Sequence, residues 1–383
     1  MKRVECLDGL RGLAALWVLL GHAMILTGFR LPVMSRPDLG VDLFILLSGF
    51  LMVFQYRLRA EFEDWRRPAI WTAFWVRRFF RIAPLFYVLL AAALIAGPAI
   101  YADRVAIDSF LGQALQPPER YLDHGPANIA AHLSFVFGLL PAYAYRTPLP
   151  DWSLGLEMQF YAVFPFLVLL GRRIGWAWGA LAIGACGALI AVMANRAGLH
   201  FPMPAFLPLK LHLFLCGMLI AADHGGQRGR LLLHLGVAML LAILPIGGAT
   251  DMLHLAVREL IVLTFFGLIH LRTTGAVGAI SRVLGSKPFH WLGELSYGTY
   301  LLHLLILQPV AAWAIGQFGR DIGAPARFAL VVGIVAPITY GIAFMTYRLV
   351  ELPGQALGKA LLRRATHNRR RARQVIAEEL AAP

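Results

Sequence analysis

The sequence predicts an all-α integral membrane protein in which about ten transmembrane helices form one bundle. Of its 383 residues, 59% are hydrophobic and 15% are charged, and the mean hydropathy is +0.67. A soluble globule needs more polar surface than this composition supplies. The apolar residues also occur in blocks of about twenty, the length with which a helix crosses roughly 30 Å of hydrocarbon.

The formal net charge of +14 does not indicate nucleic-acid binding. The arginines cluster beside the apolar blocks, where they orient helices and meet anionic lipid headgroups. Membrane lipid is therefore an expected partner, and nucleic acid is not. We also predict no metal site, because the three cysteines and the His and carboxylate residues show no metal-ligand spacing.

The order of the apolar blocks defines the predicted spans. The chain enters the first block without a small-residue cleavage site, which favours a retained first helix over a removed signal peptide. Each later block is bounded by arginines, prolines or glycines. The predicted spans are 10–29, 39–56, 82–101, 153–170, 175–195, 207–222, 231–247, 254–271, 296–316 and 328–347.

Basic residues predict the orientation of the bundle. The loop from Arg57 to Arg81 is the most arginine-rich, so the positive-inside rule places it and both termini in the cytoplasm. An eleventh apolar segment, 128–145, would put every later basic loop outside if it crossed. We therefore expect it to be a re-entrant or surface segment on the outer side, broken by Pro141 and Pro148. Residues 1–353 then form the membrane domain, and 354–383 form a basic cytoplasmic tail.

The first predicted helix carries three ionisable residues on one face. At 100° per residue, Asp8, Arg11 and His22 form a stripe, with Arg11 and His22 about 17 Å apart along the axis. His22 then lies near or beyond the midplane, where an ionisable group costs on the order of 2.5–3.5 kcal/mol unless it faces the bundle interior or a wet cavity. In the alternative interpretation of the same stripe, Asp8 is only an acid at the helix start, Arg11 a snorkelling base and His22 a packed histidine.

Polar side chains recur on single helix faces elsewhere, where burial by packing alone is hard to justify. For the second span, the alternative to a functional role is a close helix–helix contact through small residues. These groups are Asp42, Ser48 and Gly49 in the second span, Trp152, Ser153, Glu157 and Tyr161 in the fourth, and Ser296, Tyr300 and His303 in the ninth.

Six short motifs follow one another along the chain. "LDGLRGLAALWVLLGHA" holds an Arg, ten residues and a His, and it is followed by "GVDLFILLSGFLM", "RRFFRIAP", "WSLGLEMQFY", "LSYGTYLLH" and "YRLVELP". In this order they resemble the acyltransferase-3 family of membrane-embedded acyltransferases, although Ile45 stands where a second Phe is usual. The resemblance implies ten spans with both termini cytoplasmic, in agreement with the charge-based topology. Some relatives carry an added esterase-like domain, and we expect this chain to be a stand-alone membrane domain.

The resemblance also implies a reaction, namely transfer of an acyl group from cytoplasmic acyl-CoA to a hydroxyl of a sugar in a surface or exported glycan. The acyl group is most often acetyl. Acyl-CoA, most often acetyl-CoA, would be a co-substrate rather than a permanently bound cofactor, and the acceptor would be a carbohydrate or glycolipid. The expected location is the bacterial inner membrane.

Roles for individual residues follow from this chemistry. Arg77, Arg78 and Arg81 are expected to bind the phosphates of acyl-CoA through charge-assisted hydrogen bonds. His22 is expected to deprotonate the acceptor hydroxyl or to carry the acyl group itself. Arg11 would hold a phosphate or orient the histidine side of the cavity, with Asp8 as its partner.

The remaining expected site residues have less defined roles. Glu157 and His303 would orient His22, bind the acceptor or relay a proton. Donors such as Ser48, Tyr297 and Tyr300 would stabilise a developing oxyanion or hold sugar hydroxyls. The full set of expected substrate-binding residues is Asp42, Ser48, Gly49, Trp152, Ser153, Tyr161, Ser296, Tyr297 and Tyr300.

A proton-linked transporter of a small anion or sugar is the alternative function for the same buried ionisable residues. It predicts internal inverted symmetry, which the sequence does not show. It also predicts uptake of the solute without release of CoA.

Overall fold

The computed structural model describes residues 6–222, 228–271 and 273–365. Over these ranges the chain is built of helices and turns, without strands. The helices are α1 Cys6–Thr27, α2 Pro37–Arg59, α3 Pro68–Leu111, α4 Glu119–Leu122, α5 Pro126–Leu133, α6 Trp152–Ile174, α7 Trp176–Arg196, α8 Leu207–Ala222, α9 Arg228–Ala242, α10 Met252–His270, α11 Gly275–Leu284, α12 Lys287–Phe318 and α13 Ala324–Thr346.

The predicted all-α membrane bundle is confirmed, and each predicted span coincides with a helix. In the described ranges, eight helices are long and apolar enough to cross a membrane. The two other predicted spans form α8 and α9, which have 16 and 15 residues. At 1.5 Å per residue these two are about 24 Å long or less, shorter than the roughly 30 Å hydrocarbon core.

The segment predicted not to cross is broken into short pieces. It contains α5 and a 3-10 turn at Val136–Leu139, separated by Phe135 in the left-handed region at φ 60°. The Phe135 and Phe86 ring centroids lie 5.0 Å apart, and Tyr87 donates a hydrogen bond to the Leu133 carbonyl over 2.6 Å. The segment therefore lies against α3 rather than forming a span of its own.

The end of the chain continues the last helix. A π-helical turn at Tyr347–Glu351 follows α13, and helix extends to Ala365. The predicted tail thus begins within this helix, and residues 366–383 lie outside the described residues, as does the basic loop residue Arg272.

Small residues bring the backbones that carry the site close together. A Cβ on Gly293 of α12 would lie 2.1 Å from the Asp8 carbonyl oxygen of α1, and one on Gly217 of α8 would lie 1.9 Å from the Leu46 carbonyl oxygen of α2. Only glycine permits such approaches, which membrane helices use in place of a hydrophobic driving force. The α1–α12 and α2–α8 crossings therefore fix how the polar faces of α1, α2 and α12 meet.

The sidedness of this bundle can be tested with reporters. Because of the arginine distribution, we expect a reporter near Arg67 and one after Pro383 to be cytoplasmic, and one near Pro118 to be external. Paired phosphatase and fluorescent-protein fusions in intact cells measure this directly. An external carboxyl terminus would contradict the ten-span topology.

Candidate active site

Two cavities lie at opposite ends of α1. The first, of about 340 Å³, has Leu7, Asp8 and Arg11 of α1 in its wall, and we call it the arginine cavity. The second, of about 210 Å³, has His22 and Ile25 in its wall, and we call it the His22 cavity. Val41 and Tyr300 line both cavities. These two side chains therefore form the wall between them.

Three guanidinium groups, from Arg11, Arg78 and Arg81, face the arginine cavity. Arg78 donates a hydrogen bond to Gln55, and its charge lies 5.6 Å from the Phe74 ring centroid. Its Nε is buried and has no hydrogen-bond partner in the described chain. A group of cations with unused donors is suited to bind an anion with several oxygens.

Glu157 is the central carboxylate of the arginine cavity. Its Oε1 accepts a hydrogen bond from Ser48 over 3.1 Å and another from the Tyr161 hydroxyl. Asp8 lies at the cavity edge, where its Oδ2 is 3.0 Å from Nδ1 of His290 on α12. The Glu157 carboxylate is therefore held by two hydroxyl groups, and Asp8 has a histidine partner on α12.

The aromatic side chains of α12 are held in place by backbone carbonyls. Tyr300 donates to the Pro150 carbonyl over 2.6 Å and lies 2.7 Å from Ser153 Oγ. Tyr297 donates to the Ile82 carbonyl over 2.7 Å. Residues at and just before the start of α6 thus fix Tyr300 in the wall between the two cavities.

His22 and His303 form a contacting pair on the other side of this wall. His22 Nδ1 lies 2.9 Å from the Val18 carbonyl oxygen and 3.1 Å from His303 Nε2. His303 is fully buried, and its Nδ1 lies 2.6 Å from the Tyr300 carbonyl oxygen.

The hydrogen bonds assign the proton positions in the neutral pair. A carbonyl only accepts, so each imidazole carries its proton on Nδ1, and the one Nδ1 proton of His22 is shared between the Val18 carbonyl and His303 Nε2. Both hydrogen bonds that His22 makes with described residues use Nδ1. Its Nε2 therefore has a free lone pair, as a general base requires.

The His22 cavity has a polar lining that the sequence motifs did not indicate. Arg104 lies in α3 beyond the predicted span 82–101, Arg120 lies outside the apolar blocks, and Tyr145 is the last residue of the segment 128–145. These three residues are identified as candidate site residues only because they line the same cavity as His22. The polar residues of this lining are His22, Asp38, Arg104, Arg120, Tyr145, Trp152, Tyr300 and Gln308.

Most of the sequence-predicted site residues meet at one or the other cavity. The arginine cavity is lined by Asp8, Arg11, Ser48, Arg78, Arg81, Ser153, Glu157, Tyr161, Ser296, Tyr297 and Tyr300. The His22 cavity is lined by His22, Trp152 and Tyr300. His303 is not part of this lining, but it contacts His22.

Besides His303, three of the predicted site residues line neither cavity. Asp42 is buried in an ion cluster, 2.5 Å from Lys210 and 2.7 Å from Arg258. A Cβ on Gly49 would lie 2.1 Å from the Phe214 carbonyl oxygen, so this glycine serves the α2–α8 contact. Arg77 points to Glu63, at 3.7 Å.

Comparison with known proteins identifies the family of the chain. A family model described as an acyltransferase domain, that of the acyltransferase-3 family, matches residues 4–348. The peptidoglycan O-acetyltransferase OatA of Listeria monocytogenes is 23% identical over 92% of this chain. The protein named "putative peptidoglycan O-acetyltransferase YrhL" of Bacillus subtilis is 22% identical over 93% of it.

The chain spans 56% of the length of each of these two relatives. No solved structure matches it. The family match covers nearly every described helix of the bundle, including all the motifs that build both cavities. The chain therefore belongs to the acyltransferase-3 family of membrane proteins.

Proposed function

We propose that this protein is an O-acyltransferase that moves an acetyl group from acetyl-CoA in the arginine cavity to a sugar hydroxyl in the His22 cavity. The observation that carries this proposal is the shared wall of Val41 and Tyr300, which separates a cationic cavity from one that contains a basic imidazole nitrogen. Two adjoining cavities would let each substrate enter from its own end of the bundle and would bring the reacting groups together at their common boundary.

The donor side is supported by the charge of the arginine cavity. CoA carries several phosphates at one end and its thioester at the end of a long flexible arm. With the phosphates at Arg11, Arg78 and Arg81, the arm would run along α1 toward His22, about 17 Å away along the helix axis. The apolar residues of the cavity, such as Val41, Phe44 and Phe214, would pack against the arm.

The acceptor side is supported by the free lone pair of His22 Nε2. It would take the proton of the sugar hydroxyl while the hydroxyl oxygen attacks the thioester carbonyl. The C–S bond then breaks, and the proton passes to the CoA thiolate. In the alternative order, Nε2 attacks the thioester carbonyl and CoA leaves as its thiolate. The sugar hydroxyl then attacks the acyl-imidazole, its proton passes to the thiolate, and Nε2 is regenerated.

The nature of the acceptor is supported by the relatives. Two are named as peptidoglycan O-acetyltransferases, and peptidoglycan is a polymer of sugars. We extend this only to a glycan or glycolipid acceptor of the cell envelope. The proposal places the protein in the bacterial inner membrane, with the arginine cavity open to the cytoplasm.

The proposal is tested with the full chain reconstituted in vesicles. Acetyl-CoA should release free thiol only when a saccharide acceptor is present, and mass spectrometry should find the acetyl ester on that acceptor. Sugar or anion uptake into the vesicles without thiol release would instead support a transporter. Vesicles prepared without the protein give the background rate of hydrolysis.

A further inference from the structure

Arg120 is a buried cation in the wall of the His22 cavity. The residue is 6% exposed. Its Nε donates to the Thr147 carbonyl over 3.3 Å, and its Nη1 donates to Tyr145 and lies 3.5 Å from Gln116 Oε1. The guanidinium also stacks on the Tyr145 ring, 3.9 Å from its centroid. These partners fix the direction of the side chain, and they are all uncharged.

The other ionisable lining residues with formal charge, Arg104 and Asp38, already have close polar partners. Arg104 Nε lies 2.9 and 3.0 Å from the two carboxylate oxygens of Asp108. Asp38 lies 2.5 Å from Nε2 of His254. In the described part of the chain, no carboxylate lies within the 4 Å of an ion pair from Arg120.

One buried carboxylate lies in the same region, and its hydrogen bonds are directed elsewhere. Asp151 Oδ2 accepts from Thr147 over 2.7 Å and faces His132 Nε2 at 3.6 Å. It therefore does not form an ion pair with Arg120. Asp151 acts on Arg120 only through a charge interaction without direct contact. A buried charge without a contacting partner of opposite charge is costly, and this one borders a cavity of about 210 Å³ that is large enough to admit a ligand group.

We infer that Arg120 binds an anionic group of the acceptor, so that the preferred acceptor is a saccharide bearing a carboxylate or a phosphate. This inference rests on the proposed function, because it takes the His22 cavity as the acceptor site. Arg120 and His22 line the same cavity, so an anion at Arg120 would place a neighbouring hydroxyl toward His22 Nε2. Because Nε and Nη1 already donate to Thr147, Tyr145 and Gln116, Nη2 is the nitrogen left to contact the anion.

The test compares three sugars that differ only at carbon 6, namely glucose, glucuronic acid and glucose 6-phosphate. Binding to the full chain in nanodiscs is measured by ligand-observed NMR without any acyl donor. We expect at least one of the two anions to bind at least about tenfold more tightly than glucose, as one charge-assisted contact of about 1.5 kcal/mol gives. The anion that is preferred identifies the group as carboxylate or phosphate.

Variants then assign the preference to Arg120. Arg120→Gln should remove the difference between the anions and glucose, and Arg120→Lys should keep part of it. Since Arg120→Gln also loses the Thr147 and Tyr145 contacts, thermal unfolding of each variant is measured, and the Lys variant serves if the Gln variant does not fold. In that case a preference in Arg120→Lys equal to that of the wild type would overturn the inference, because lysine has no second terminal nitrogen to replace the Nη2 that the inference assigns to the anion.

Arg146→Gln is the matched control from the same segment. Arg146 lies outside the cavity and forms an ion pair with Asp123 at 2.8 Å. Burial alone would raise the pKa of Asp123, but the hydrogen bonds from Arg146 and the Gly125 amide lower it, so this arginine is already compensated. Its removal should leave the preference for anions unchanged.

The outcomes separate this inference from the proposed function. Equal binding of the three sugars by the wild type, or a preference that persists in Arg120→Gln, overturns the inference even if acetyl transfer occurs. Arg120-dependent binding of an anion supports it, even if no acetyl transfer to any sugar is found and the proposed function fails.

Discussion

Replacing His22 with glutamine should lower the turnover of acetyl transfer at least about a hundredfold, because general-base catalysis typically contributes about 10²–10⁴-fold. The free Nε2 of His22 is the basic atom of the cavity, and the amide of glutamine keeps hydrogen-bonding capacity without basicity. Acetyl transfer to the saccharide is measured at matched protein levels, and binding of CoA should remain unchanged. His22→Ala should lose as much.

The structure also supplies a control for this variant. His200→Gln removes a histidine from an exposed loop position outside both cavities, and it should keep wild-type turnover. A histidine that only packs would behave differently, with glutamine restoring most activity and alanine mainly lowering protein yield. If His22→Gln kept a third of wild-type turnover, the basic role would pass to His303, its contacting neighbour.

The stripe on α1 shows what the sequence can predict. Helical periodicity placed Asp8, Arg11 and His22 on one face, and in the structure this face borders cavities. Periodicity gives the direction of a side chain on its own helix. It does not show that one stripe serves two cavities, since the wall between them comes from α2 and α12.

Asp42 shows where such reasoning fails. A carboxylate in an apolar run indicates a function only if no partner compensates it. Its partners Lys210 and Arg258 lie 168 and 216 residues further along the chain, and only the packing of α2 against α8 and α10 brings them together. The compensation of a buried charge is thus a tertiary property, and the same holds for the missing ion pair of Arg120.

Arg77 illustrates a distinction that helix geometry itself provides. Adjacent residues of a helix point about 100° apart, whereas residues three apart share a face. Arg78 and Arg81 therefore face the arginine cavity together, while Arg77 turns toward Glu63. The run of basic residues predicted a phosphate site formed by three arginines, but helical periodicity directs only Arg78 and Arg81 toward the cavity.

Changing Arg78 and Arg81 together to alanine should raise the KM for acetyl-CoA at least about a hundredfold, with little change in the KM for the acceptor. Each arginine would contribute about 1.5–3 kcal/mol through charge-assisted hydrogen bonds to phosphate, and two such losses correspond to roughly 10²–10⁴-fold in affinity. Initial rates over ranges of both substrates separate the two effects. The single changes to lysine should be milder, because lysine keeps the charge but loses the planar fork.

The controls for this double variant use other arginines of the chain. Arg172→Ala with Arg173→Ala removes two exposed arginines at the end of α6, away from the cavity, and should leave the KM for acetyl-CoA at its wild-type value. Arg77→Ala should raise it less than Arg78→Ala does, since Arg77 does not face the cavity. Arg78 also packs on Phe74 and Tyr161, so its removal can destabilise the fold. The kinetic constants are therefore interpreted only for variants whose unfolding temperature equals that of the wild type. A folded double variant with unaltered donor kinetics would reduce this cluster to a signal for membrane orientation, and the donor site would have to be sought elsewhere.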